Sequence, residues 1–146
     1  MAKIRDVIAG NLLYTVQPHQ TVREVATRMT AAKIGAVPVI EGDRLIGVFS
    51  ERDLMTRVVA AGLNPDTTAV GSVMTKDIVV ADADETTEAC LARMKQLHVR
   101  HLPVVSGNTL VGMLSVRNLL LVDASRKDEE IKWLNAYIHY APPGWE

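Results

Sequence analysis

Ser50 and Asp53 stand three residues apart at the end of the run Gly47-Val48-Phe49-Ser50-Glu51-Arg52-Asp53. A carboxylate at that position offers acceptor lone pairs to both hydroxyls of a cis-diol, and a serine at a helix entrance can add a hydroxyl contact. The same spacing also suits a helix cap, in which Ser50 receives a backbone N–H and Asp53 favours the positive end of the helix. Both readings are open at this level. A second copy of the pattern carries Gly112, Ser115, Arg117 and Asn118. Asn118 keeps a hydrogen-bonding side chain but lacks the charge and one carboxylate oxygen. Arg100 and His101 form a basic pair just ahead of Leu102-Pro103-Val104, where the first copy has Gly35-Ala36. A solvated arginine and a histidine packed at a strand start are the plain alternative.

Other chemistry lacks a sequence anchor. His98 and His101 are three apart, but no Cys, Asp or Glu cluster completes a metal site beside them. The chain contains neither a Gly-x-x-x-x-Gly-Lys-Ser/Thr phosphate loop nor a Gly-x-Ser-x-Gly nucleophile elbow. No catalytic residue and no catalytic cofactor are therefore expected. Cys90 is the single cysteine and cannot form an internal disulfide; its apolar helical surroundings suit a small buried hydrophobe.

The 16 basic and 17 acidic residues give a net charge of −1, so no chain-wide attraction to nucleic acid or anionic lipid is expected. Aromatic content of 4% offers no stacking platform for single strands. Apolar runs such as Leu119 to Val122 are too short to cross a bilayer, and the N-terminus lacks an apolar signal core. Neither nucleic acid nor membrane is an expected partner, and a cytoplasmic protein is expected. A hydrophobic content of 48% over 146 residues suffices for one packed domain or two halves sharing a core.

These residues lie in an internal repeat. A shift of 65 residues superposes Thr21 on Thr86, Met29 on Met94, Pro38 on Pro103, Gly47 on Gly112, Ser50 on Ser115 and Leu54 on Leu119, without a gap. Each copy reads as strand, helix, strand, strand, helix. In the first, Thr21 and Glu24 are spaced as a capping box for a helix to Lys33, with Val22, Val25 and Met29 at helical spacing. Ala36–Ile40 and Leu45–Phe49 are β-prone runs around a Gly42-Asp43 turn, and a helix follows over Ser50 to Ala61, closed by Gly62. The second copy predicts a helix over Thr86 to Leu97, strands at Leu102–Val105 and Leu110–Leu114, and a helix from Val116. The organisation expected is a repeat over 1–62, a linker over 63–70 adding little to either core, a repeat over 71–124, and a terminal helix and tail over 125–146. Ile131, Leu134 and Ile138 form the apolar stripe of that last helix.

The doubled β-α-β-β-α plan, the Val-Pro-Val and Leu-Pro-Val-Val strands and the Gly-x-x-Ser-x-x-Asp/Asn endings resemble paired cystathionine-β-synthase (CBS) domains, the Bateman module. The resemblance covers about residues 1 to 124. It implies an α/β (α+β) fold in which two pseudo-twofold-related repeats pack through their sheets, and a cytoplasmic homodimer. It further implies clefts that bind AMP, ADP, ATP, S-adenosylmethionine, NAD(H) or a related adenosine-containing ligand.

Each such cleft combines the ribose motif of one repeat with the pre-strand segment of the other. The main cleft then takes Ser50, Arg52 and Asp53 with Arg100 and His101, while Val48, Met74, Val79 and Val99 line the adenine side. The weaker one takes Gly35, Ala36, Met113, Ser115, Arg117 and Asn118. The resemblance implies a non-catalytic regulatory and energy-sensing module acting on another protein. Two alternatives are an interaction module with a vestigial cleft and an unrecognised enzyme.

Overall fold

The computed structural model describes residues 2–122 and 134–136. The elements are α1 (Ile4–Val7), α2 (Val22–Ala32), β1 (Ala36–Glu41), β2 (Arg44–Ser50), α3 (Glu51–Asp53) and α4 (Val70–Val73). They continue with β3 (Ala81–Asp82), α5 (Thr87–Leu97), β4 (His101–Ser106), β5 (Thr109–Ser115) and α6 (Val116–Val122), giving a mixed α+β protein.

Helix starts follow the local chemistry. Thr21 and Thr86 accept the amides of Glu24 and Ala89, each satisfying an otherwise orphan first-turn donor. Lys33 and His98 close the two helices in the left-handed conformation, at φ 58° and 55°. The β1–β2 hairpin turns at Gly42-Asp43, where φ of +67° at Gly42 suits a residue without Cβ. After α3 the expected regular helix instead widens into a π-helix over Leu54–Val59, in which the Ala60 N–H reaches the Met55 carbonyl at 2.8 Å.

The chain forms two compact units, and they interleave the sequence repeats. One unit contains residues 13–79 and 108–110; the other contains residues 2–12, 80–107 and the described residues from 111 onward. In the first unit β1 pairs antiparallel with β2, and Val16 bridges Val39 in place of the first expected strand. Val16, Val22, Val25, Val39, Phe49 and Val58 are buried there around α2. In the second unit the strand order is β5-β4-β3, with Ala81 opposite Val104 in parallel. Its core gathers Ile4, Met94, Leu102, Leu114 and Leu119, with Leu134 packed against them. Leu134 belongs to the expected terminal stripe, whereas Ile131, Ile138 and most of 125–146 lie outside the described residues.

The leading segments cause the interleaving. In the first unit the Val70 and Gly71 amides donate to the Gln20 and Pro18 carbonyls, and Val22 donates to Thr68. In the second, Ile4 and Arg5 donate to Glu85 and Ala83, and Thr87 donates to Ala2. The three bonds recur one for one, so the start of α4 pairs with the segment leading into α2 as the start of α1 pairs with the segment leading into α5. Within the expected linker, the Thr68 and Pro65 carbonyls accept first-turn amides of α2, and Val70 at its end is completely buried. A segment engaged mainly through its backbone carries no apolar periodicity, so its sequence resembles a plain connector.

Candidate functional site

In the first unit β2 ends at Ser50, whose backbone is extended, and α3 begins at once. The Ser50 Oγ accepts the Asp53 amide at 3.2 Å, while Asp53 Oδ2 accepts the Ser50 N–H at 3.0 Å and the Ser50 hydroxyl at 3.1 Å. This reciprocal pair is the capping box, and it buries the Asp53 side chain to 7% exposure. The other carboxylate oxygen, Oδ1, accepts from Thr75 Oγ1 at 3.0 Å and lies 3.6 Å from Arg57 Nε. Arg57 also donates through Nη1 to the Met74 carbonyl at 3.0 Å. Three hydrogen bonds and one ion pair thus nearly fill the roughly four lone-pair directions of a carboxylate. A diol arriving at Asp53 has to share or displace Thr75 or Arg57.

The remaining expected residues of this unit surround that carboxylate unevenly. Val48 exchanges both backbone bonds with Thr75, at 2.9 and 2.8 Å, and so anchors it. Met74 is buried across Gly47, where an added Cβ would stand 2.5 Å from Sδ. Ala36 is the register partner of Ser50, and the Gly35 carbonyl accepts the Glu51 amide at 2.9 Å. Arg52 and Val79 are exposed, Val79 at 46%.

The second unit repeats this frame with different chemistry. Asn118 Oδ1 accepts the Ser115 N–H at 2.9 Å and the Ser115 hydroxyl at 2.8 Å, and the Ser115 Oγ accepts the Asn118 amide at 3.1 Å. Asn11 Nδ2 then donates to Asn118 at 3.2 Å and to the Met113 carbonyl at 3.4 Å, a distant donor to the cap residue as Thr75 is in the other unit. The Arg100 carbonyl accepts the Val116 amide at 3.0 Å, as Gly35 accepts that of Glu51. Arg117 is exposed, and Val99 packs against the core. His101 opens β4 and keeps exposed surface, yet burial of its ring first and the Arg100 charge second lower its pKa below the ordinary histidine value. Within each unit, the cap and the pre-strand residue it touches belong to the same repeat.

Sequence reasoning missed Thr75, Arg57 and Asn11. Arg57 had a signal, since it lies four residues after Asp53 on one helical face. Thr75 is 22 residues from Asp53 and Asn11 is 107 from Asn118, so only folding reveals them. Among the described residues no group of three or more His, Cys, Asp or Glu side chains is placed to hold a metal.

The CBS domain model matches residues 4–60 and 70–125. The chain belongs to the CBS-domain family. It is 32% identical over 127 residues to the CBS domain-containing protein YhcV of Bacillus subtilis, covering 87% of this chain and 89% of that one. Hypoxic response protein 1 of Mycobacterium tuberculosis is 33% identical over 116 residues, covering 79% and 80%. Among solved structures, a signal-transduction protein with CBS domains from Burkholderia ambifaria superposes at a TM-score of 0.75 with 28% identity, covering 87% and 98%. A CBS domain protein from Pyrobaculum aerophilum, solved in complex with AMP, shares the fold at a TM-score of 0.72 and 24% identity, covering 85% and 99%. Tandem CBS proteins are regulatory modules, and the curated relatives carry no enzymatic name. Among the described residues no helix of this CBS pair is long and apolar enough to cross a membrane.

Proposed function

We propose that this CBS pair is a non-catalytic sensor that binds an adenosine-containing ligand, with Ser50 and Asp53 as ribose-binding residues and Arg100 and His101 as phosphate-binding residues. The observation that carries the reading is the Asp53 carboxylate, held in one orientation by Ser50 with Oδ1 facing Thr75 and Arg57, the two contacts that a ribose diol shares or displaces. Arg100 supplies the positive charge that a phosphate needs, and His101 adds a donor that gains its proton as phosphate binds. The AMP complex of the Pyrobaculum protein supports the ligand class. Binding at Asp53 exchanges the Thr75 or Arg57 contact for a ribose hydroxyl and loosens the 70–79 segment, which gives the ligand differential contacts with two arrangements of the chain. The regulated protein reads that change, and the module acts as a cytoplasmic homodimer. Light scattering at tens of micromolar protein gives twice the chain mass; a monomer there overturns the dimer.

Thermal shift with AMP, ADP, ATP, NAD(H) and S-adenosylmethionine tests the ligand. A ligand at about 100 times its dissociation constant stabilises by about 2.7 kcal/mol. A second reading, an interaction module with a vestigial cleft, is favoured by the exposed stripe Met55, Val59 and Leu63, at 54, 67 and 44%. No shift with any ligand, together with capture of a protein partner that fails when this stripe carries charge, establishes the second reading instead.

A further inference from the structure

The two pre-strand segments carry opposite charge, and the residue that inverts the first is Glu51. Its amide donates to the Gly35 carbonyl at 2.9 Å, and its carboxylate folds back over the same glycine. A Cβ built at Gly35 would stand 3.2 Å from Cδ and Oε1 of Glu51 and 3.4 Å from Oε2. The glycine thus leaves the space that the carboxylate faces. At the matching place in the other unit the Arg100 carbonyl accepts the amide of Val116, so an arginine replaces the glycine and an apolar side chain replaces the glutamate. One segment presents a cation, and the other presents an anion.

We propose that Glu51 is a specificity-determining residue that bars phosphoryl groups from the Gly35–Ala36 segment and leaves that half-site to adenosine ligands without a negative charge there. The inference rests on the nucleotide-binding reading above. Glu51 is exposed, and a phosphoryl group brought against its carboxylate within a few ångströms still meets like charge, whereas a hydroxyl or a cationic substituent meets no such penalty. Glu51 accordingly limits binding of anionic nucleotide to one equivalent per chain. Glu51 thus selects by charge, which a mere loss of hydrogen bonding does not.

Calorimetric titration of the full chain, Glu51→Gln and Glu51→Val with ADP and with uncharged adenosine tests this. Glu51→Gln keeps the size of the side chain, and Glu51→Val installs the residue of the second repeat. The expected result is one ADP equivalent for the parent and a second, at least about tenfold tighter than any weak second phase of the parent, in both variants. Adenosine affinity changes less than about twofold. One ADP equivalent in all three proteins overturns the inference and leaves the nucleotide reading standing. Equal gains for ADP and adenosine also overturn it, since the effect is then steric. No heat with ADP or adenosine in any of the three removes both.

Discussion

Arg57 and Asp53 approach within 3.6 Å one helical turn apart, with the arginine half exposed and the aspartate almost wholly buried. The same guanidinium holds the Met74 carbonyl, so Arg57 ties the end of α4 to the residue that caps α3. Arg57→Met is expected to lower stability by only about 1 kcal/mol, because solvent screens the exposed partner. Urea denaturation measures it, and a loss several times larger means that the tie is a structural core element.

Asp53→Asn makes the first unit chemically like the second. The Ser50 bonds survive, as Asn118 shows with Ser115, while the charge facing Arg57 and Thr75 is lost. Far-UV circular dichroism stays at the parent value. Adenosine-ligand affinity falls at least about tenfold, since a hydrogen bond to a charged group contributes about 1.5–3 kcal/mol. Unchanged affinity by calorimetry removes Asp53 from the site.

Two glycine substitutions separate packing from backbone strain. Gly47→Ala meets Met74 Cγ at 2.9 Å and the Thr75 carbonyl oxygen at 3.0 Å, and the cost is about 1–3 kcal/mol. Gly42→Ala meets nothing within 4 Å but must hold φ near +67°, at about 1 kcal/mol. Denaturation midpoints rank the two, and adding Met74→Ala to Gly47→Ala restores only part of the loss because the backbone oxygen remains. Full restoration contradicts the role given to the Thr75 carbonyl.

Cys90 is fully buried, and burial first, with the Glu85 charge second, pushes its thiol up to about 11. At pH 8 the folded protein therefore reacts with a thiol-directed disulfide reagent only through opening. Labelling is slow in native buffer and rapid in denaturant; equal rates show an accessible thiol.

His101 gives the pH dependence. Its folded pKa is lowered, so the unfolded chain takes up a proton first as pH falls, and the ligand-free protein loses stability below the ordinary histidine range. A bound phosphate favours the imidazolium and raises that pKa again. Affinity for ADP therefore increases as pH drops from about 8 toward 6, with proton uptake. Calorimetry in buffers of different ionisation enthalpy detects the uptake, and His101→Ala flattens the profile. A slope that survives in the variant assigns the proton to another group.

The 65-residue repeat was readable from sequence by self-comparison, and the caps at Thr21 and Ser50, the hairpin at Gly42 and the Ser50–Asp53 pair were readable because each depends on residues within a few positions of one another. Periodicity and capping are local physics. The pairing of α1 with the segment before α5 and of α4 with the segment before α2 was not readable, since it runs through backbone bonds such as Ile4 to Glu85 and Val70 to Gln20 that leave no side-chain signature. The same exchange brings Thr75 to Asp53 and Asn11 to Asn118. Sequence thus specified the two motifs and their asymmetry of charge. Tertiary structure decided which distant donors hold each motif, because hydrogen-bond partners far apart in the chain are chosen by packing, not by spacing.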